Sequence, residues 1–228
     1  GVMLQHRFKP ASRALADILA DGRLGEIVGA SARTRNWRPQ SYYDQPGRGT
    51  KARDGGGVLL TQAIHTLDLL ISLAGLPVEV LAYAATSAVH AMETEDIVAG
   101  ALRYANGAIG TISATTCAYP GFADSIEILG AKGTAILEGE GLSVSYHDGA
   151  SFELGADPAA GGAGADPMAF SHANHRAALT DFLNAVEGRG ALKINGREAL
   201  KVHRLIDALL NSAGSGKAVG IRRRRAVS

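Results

Sequence analysis

The chain has 228 residues, 46% hydrophobic and 20% charged, which is enough for one large domain with a substantial core. Its 23 basic and 22 acidic side chains leave a formal charge of +1, so no general attraction to nucleic acid or lipid follows, and no apolar run approaches the roughly 20 residues of a membrane span. A single cysteine, Cys117, excludes an intrachain disulfide and a multi-cysteine metal cluster and suits a reducing, cytoplasmic setting.

The opening GVMLQHRFKP lacks the form of a secretory signal and reads as a strand entered partway along. Pro10 to Gly22 predicts a short amphipathic helix, with proline in the first turn and glycine at the end. Gly25 to Arg35 alternates small or apolar with polar residues and predicts a strand. A long irregular stretch from Asn36 to Asp54 follows, rich in Pro, Gly, Tyr and Arg.

Residues 55 to 70, GGGVLLTQAIHTLDLL, predict one helix ending near Ala74 and Gly75, with Pro77 preventing continuation. VEVLAYAATS predicts a strand, and the runs around "ANG" and "AKG" predict two hairpins. GADPAAGGAGADP, residues 155 to 167, is low in complexity, and helices over about 171–188 and 195–213 close the chain. Consecutive strands that do not alternate with helices point to an α+β domain, not a doubly wound parallel sheet. The run Arg222 to Arg225 reads as a solvated tail.

Two glycine-rich stretches imitate phosphate loops. Gly47 to Ala52, GRGTKA, follows YYDQP where a dinucleotide turn needs a buried strand, and Gly214 to Ala218, GSGKA, follows a helix and reads as its terminator.

The chemistry concentrates in the helix after the glycine triplet. At 3.6 residues per turn Thr61, His65 and Asp68 share one side of a rod otherwise apolar almost all round. A buried imidazole or carboxylate needs partners, so this stripe belongs either to an internal hydrogen-bond network or to a cleft. The glycines permit close approach of a ligand or another segment, the helix N-terminus is electropositive, and the preceding loop offers Tyr42, Tyr43, Arg48, Lys51 and Arg53 to an oxygen-rich or anionic small molecule. His172 and His175, three apart and without a third ligand, give no metal site.

GGGVLLTQAIHTLDLL resembles the signature helix of the glucose-fructose oxidoreductase, inositol dehydrogenase and MocA family. RFKPASRALADILADGRLGEIVGA is similar to the segment joining the two domains of that family, and DFLNAVEGRGALKINGREALKVHRLIDALLNSAGSGKAV to its closing helices. The resemblance implies an open, mainly antiparallel sheet with helices on one face, like the C-terminal domain of glyceraldehyde-3-phosphate dehydrogenase. It further implies that residues 1–6 are the remnant of the last Rossmann strand, residues 7–220 a substrate-binding and oligomerisation domain, and residues 221–228 a basic tail. The N-terminal domain that binds NAD or NADP, with its glycine fingerprint and Glu-Lys-Pro motif, has no counterpart in this sequence.

The same resemblance places His65 at the catalytic histidine, a general base on the hydroxyl of a sugar, cyclitol or related small molecule. Thr61 stands where an aspartate is usual and Ala63 where a glycine is usual. Thr61, Arg35, Trp37, Tyr43, Arg48 and Lys51 are the candidate substrate contacts, and Asp68 either orients the imidazole or serves the fold. The implied partners are a small-molecule substrate and further copies of the chain through the open sheet face. The substituted aspartate keeps a second reading open, a non-catalytic binding or assembly module.

Overall fold

The structure, a computed structural model, describes residues 1–155 and 172–221. The low-complexity stretch beyond Gly155 and the arginine tail lie outside the described residues. In chain order the elements are α1 (Pro10–Ala20), β1 (Ile27–Arg35), α2 (Gln40–Tyr43), α3 (Lys51–Asp54), α4 (Val58–Thr61), α5 (Ile64–Ala74), β2 (Glu79–Ala85), β3 (Ile97–Arg103) and β4 (Ile109–Thr115). There follow β5 (Ser125–Gly130), β6 (Gly133–Glu138), β7 (Gly141–Tyr146), β8 (Ser151–Leu154), α6 (Ala173–Val186), α7 (Gly196–Ser215) and β9 (Val219–Gly220).

The nine strands form one open sheet in the order β8-β7-β6-β5-β1-β4-β3-β2-β9. All neighbours are antiparallel except β1 and β4, which run parallel from Gly29 opposite Ile109 to Arg35 opposite Thr115. The α+β expectation holds. Both hairpins form where their turn residues stand: the β3–β4 turn closes with Tyr104 donating to Ala108 O at 2.9 Å, with Gly107 at φ +90°, and β5–β6 turns through Ala131 and Lys132. β7, β8 and β9 were not read from the sequence.

Alternation along the strands sorts their two faces. Ala30, Ala32 and Thr34 of β1, Val80 and Ala82 of β2, Ile112 and Ala114 of β4 and Ile126 and Ile128 of β5 are buried under the helices. α5 lies over β1 and β5, α7 over β2, and α1 over β6 and β7. Leu15, Leu59, Leu67, Leu70, Leu205 and Leu209 fill the layer between. The opposite face carries Val28, Tyr83 and Ile109, exposed by 54%, 76% and 67%.

The opening residues join no strand among the described residues. Val2 N–H donates to Ile194 O at 3.1 Å, and Gln5–Phe8 form a 3-10 turn. Arg7 of that turn reaches into the core and grips Asp68 of α5 with two bonds, Nε to Oδ2 at 2.7 Å and Nη2 to Oδ1 at 2.5 Å. Asp68 is fully buried. Gly216, at φ +65°, ends α7 with its N–H on Ser212 O, so GSGKA is a helix terminator as expected.

Two stability predictions follow from these contacts. A Cβ on Gly110 would stand 1.9 Å from Ala30 O across the parallel pair, whereas one on Gly214 in α7 meets nothing within 4 Å. Chemical denaturation of Gly110→Ala is expected to show a loss of about 2–3 kcal/mol and Gly214→Ala none or a small gain. Arg7→Met leaves the Asp68 carboxylate buried and unpaired and is expected to cost about 3–5 kcal/mol. Arg7→Met combined with Asp68→Leu recovers most of that loss; equal costs for the single and double variants would refute the pairing.

Candidate functional site

The predicted single helix is two. α4 ends at Thr61, Gln62 and Ala63 break the run, and α5 starts at Ile64 on an axis 46° from that of Lys51–Thr61. Cross-links from other elements fall on this corner. Gln62 Oε1 accepts from Arg38 Nη2 at 2.9 Å and from Asn36 Nδ2 at 3.3 Å, tying the loop after β1 to the break.

The glycine triplet admits a neighbour as expected, but the neighbour is the chain itself. A Cβ on Gly57 would lie 2.0 Å from Glu95 O and 2.5 Å from the Glu95 carboxyl carbon. Glu95 accepts from Val58 N–H through its carbonyl at 2.8 Å and from Gly57 and Leu59 N–H through its carboxylate at 3.2 and 3.3 Å. The electropositive end of α4 is therefore filled by an internal carboxylate and is not free for an anionic substrate. Burial pushes the Glu95 carboxyl up, against the pull of those N–H groups.

The stripe separates into three different environments. Thr61 faces outward with its hydroxyl donating to Gly57 O at 2.8 Å, a bond within its own short helix. Asp68 does not orient the imidazole, because both its oxygens are committed to Arg7. Burial pushes its carboxyl up while the guanidinium pulls it down. By fixing Arg7, Asp68 places the 3-10 turn, and with it His6, against α5.

His65 alone is half-open, and its Nδ1 is shut off from solvent without a hydrogen-bond partner. The His6 ring lies tilted 5.3 Å from the His65 ring, centroid to centroid. Burial, then His175, then Lys9 push the His65 imidazolium down from its ordinary value. His6 is pushed further down, by burial first and then by Lys9, His65 and His175. Four cationic or potentially cationic groups thus converge, which favours neutral imidazole at neutral pH. Beside them Thr66 donates to Asp124, whose carboxyl burial pushes up, and Lys9 Nζ donates to Gly139 O at 2.9 Å and pairs with Glu140 at 3.0 Å.

The loop candidates gather elsewhere. Arg48 donates to Tyr42 Oη at 2.6 Å and stacks over that ring at 4.2 Å. Tyr43 is buried, donating to Thr116 Oγ1 at 3.0 Å, and Lys51 is exposed at the start of α3. Trp37 pairs its backbone with Cys117 and sets its ring edge-on to Tyr119 at 5.5 Å. Arg35 points from β1 to the open face, over Phe122 at 4.9 Å and 3.7 Å from Glu138, away from the helices. No hydrogen bond or ring contact among the described residues joins these side chains to His65. Sequence reasoning missed His6, Lys9, Gln62, Glu95 and Asp124, whose roles arise from pairings far apart in the chain and leave no local signal.

Comparison with known proteins completes the assignment. The family model described as the GFO/IDH/MocA C-terminal domain matches residues 12–136. The WlbA dehydrogenase of Bordetella pertussis, solved in complex with NADH and UDP-GlcNAcA, is 29% identical with a TM-score of 0.78, covering 97% of this chain and 63% of that one. Its counterpart from Chromobacterium violaceum, solved with the same two ligands, is 29% identical with a TM-score of 0.79, covering 98% and 63%. Levoglucosan dehydrogenase in complex with NADH and levoglucosan, at 20% identity, shares the fold with a TM-score of 0.83 over 97% of this chain and 66% of that one. The chain thus spans about 63% of the length of the WlbA dehydrogenases. No curated protein matches the sequence. With the family model covering more than half of the residues, and with the open sheet and histidine-bearing helix in place, the chain belongs to the GFO/IDH/MocA C-terminal domain family.

Proposed function

We propose that this chain is the substrate-side domain of a cytoplasmic NAD(P)-dependent oxidoreductase that moves hydride between nicotinamide and a hydroxyl or carbonyl carbon of a sugar, cyclitol or related small molecule. The observation that carries the reading is His65: an imidazole on the family's signature helix, half-open and pushed toward its neutral form by its surroundings. In that state it accepts a proton from a substrate hydroxyl, and the crowd of cations around it favours releasing that proton again.

The residues present fit only one half of the chemistry. Gly47–Ala52 follows no strand, and a Cβ on Gly49 would stand 2.8 Å from Met92 Cβ, so this loop packs inward and cradles no pyrophosphate. The nicotinamide supplies the hydride chemistry when bound, and its cradle belongs to another domain. By itself the chain is catalytically inert. An apolar cavity of about 230 Å³ lined by Val2, Met3, Phe8, Leu179, Phe182 and Ile194 supports a docked second domain. Leu183 and Val186 of α6 lie near it in the chain and are exposed by 56% and 68%.

The open sheet face, with Tyr83 and Ile109 in water, supports a homo-oligomer formed through that face. No single helix among the described residues is long and apolar enough to cross a membrane; α4 and α5 pass only as a bent pair with the segment from Lys51, and much of their apolar surface is in the core. A non-catalytic binding module is the second reading. It is favoured by Thr61, whose hydroxyl is spent on Gly57 O where the family usually has a carboxylate.

Turnover of polyols and sugars with NAD and NADP by the longer protein that carries this domain separates the two readings. His65→Ala is expected to lower kcat by about 10²–10⁴ with the fold intact by circular dichroism, and an unchanged kcat removes His65 from the mechanism. The pH profile is a separate check. Because the imidazolium is destabilised, the neutral base persists to lower pH, so the acid limb of kcat/KM is expected below about pH 6.5. Lys9→Met removes one repelling cation and is expected to move that limb upward; a limb above about pH 7 in the unaltered protein contradicts the assignment.

A further inference from the structure

A second polar cluster lies outside the His65 site, where the ends of β1, β3 and β4 meet the connection between β2 and β3. His90 and Asp96 are buried there with both side chains at 0% exposure. His90 Nδ1 stands 2.8 Å from Asp96 Oδ2, and Cys117 Sγ lies 3.3 Å from the same oxygen and 3.7 Å from the same nitrogen. The three ligand atoms fall within 4.8 Å of one another. Ser87 Oγ caps the group, 2.8 Å from Asp96 Oδ2 and 3.2 Å from Cys117 Sγ.

The other side of the imidazole decides what sits in the middle. His90 Nε2 is 2.8 Å from the carbonyl oxygen of Arg38, which can only accept, so Nε2 carries a hydrogen. Nδ1 then turns either a lone pair or a second hydrogen toward the carboxylate. Nδ1 and a carboxylate oxygen 2.8 Å apart attract only through something positive between them, a proton or a metal ion.

We infer that His90, Asp96 and Cys117 form a binding site for a divalent cation of the zinc class, with Ser87 Oγ in the fourth position. The donor set is imidazole nitrogen, carboxylate oxygen and thiolate sulfur, the mixture that borderline-soft ions select. Bonds of roughly 2.0–2.3 Å around a tetrahedral ion put its ligands about 3.3–3.8 Å apart. The edges from Sγ to Nδ1 and to Oδ2 already have that length, while the Nδ1–Oδ2 edge and the edges from Ser87 Oγ, 2.8 Å to Oδ2 and 3.2 Å to Sγ, must open. The Nε2–H bond to a backbone carbonyl is the outer contact that fixes a metal-binding imidazole in the tautomer with Nδ1 free. On binding, the Sγ hydrogen and any hydrogen on Nδ1 leave to solvent, and the half-buried Cys117 marks the way in. The ion staples Arg38 to the sheet, and Arg38 in turn holds Gln62 at the corner before α5.

The site escapes a sequence scan because residues 90, 96 and 117 follow no metal-ligand spacing, unlike the closely spaced His172 and His175. His172 bonds Arg176 Nη2 at 2.8 Å, and His175 belongs with His6 and His65.

Cobalt(II) titration of the chelator-stripped, untagged 228-residue chain tests the inference without any turnover. Since Cys117 is the single thiol, a sulfur-to-cobalt charge-transfer band reports it alone. The expected result is a saturable band at one ion per chain, displaced by zinc(II), lost in Cys117→Ser and weakened at least about tenfold in affinity in His90→Gln. Alkylation of Cys117, followed by mass spectrometry, is a readout independent of variant folding: zinc(II) is expected to slow it in the unaltered chain. No band, a band at one ion per two chains, or an alkylation rate indifferent to zinc(II) overturns the site in favour of a hydrogen-bonded pair sharing a proton.

Discussion

The geometry of the His65 site depends on a carboxylate sealed from water and the largely buried guanidinium that compensates it. Asp68 sits at zero exposure midway along α5, and the guanidinium that compensates it comes from Arg7, 61 residues earlier. An uncompensated carboxylate there would cost several kcal/mol, so the 3-10 turn cannot drift from the helix without exposing that penalty. The bidentate geometry fixes orientation as well as distance. His6 precedes Arg7 and Lys9 follows two residues on, so the same contact sets both beside His65. A core ion pair, neutral in sum, thereby sets beside His65 a lysine that disfavours its protonation.

A second constraint acts at the other end of the signature helix. Glu95 occupies the space a side chain at residue 57 would need, and its carboxylate and carbonyl take the N–H groups of Gly57, Val58 and Leu59. This satisfies the orphan donors of α4, a helix too short to stand by itself. With α4 pinned to the strand end and α5 pinned to Arg7, the chain between them cannot follow one helical axis, and the break falls at Gln62 and Ala63. Gln62 then becomes the acceptor for Arg38 and Asn36, so the loop after β1 is referenced to the same corner as His65.

These two clamps explain what the sequence disclosed and what it withheld. α1, β1, the two hairpins and the closing helices are local: alternation, helical spacing and turn glycines act between residues that are near in the chain. The family resemblance rested on a contiguous run, and so His65 was legible. The split of the stripe was not, because it follows from Arg7 and Glu95, which reach the helix from 61 and 38 residues away. Nor was the fate of the loop basics: Arg48 is absorbed by Tyr42, and Arg35 falls on the outer face because β1 alternates from Thr34 inward to Arg35 outward. β7 and β8 escaped because their apolar residues Leu142, Val144 and Phe152 are few and interrupted, although the sheet supplies them with neighbours.

The threonine at residue 61, where the family resemblance leads one to expect an aspartate, bears on how His65 is tuned. A carboxylate one turn before the imidazole would stabilise its protonated form and hold the proton on the ring. Thr61 turns its hydroxyl back to Gly57 O and offers no such charge. The groups that act on His65 electrostatically, His175 and Lys9, both disfavour its imidazolium and reinforce the effect of burial. An imidazole in that setting is a weak base that yields its proton easily, suited to a step in which the proton goes on to leave and ill suited to one in which a lasting positive charge must be stored. The carboxylates of Asp124 and Asp68, on the same helix or packed against it, are engaged with other partners, Thr66 and Arg7. With threonine and no carboxylate at residue 61, the balance at His65 lies toward the neutral ring, and the ring stays half-open.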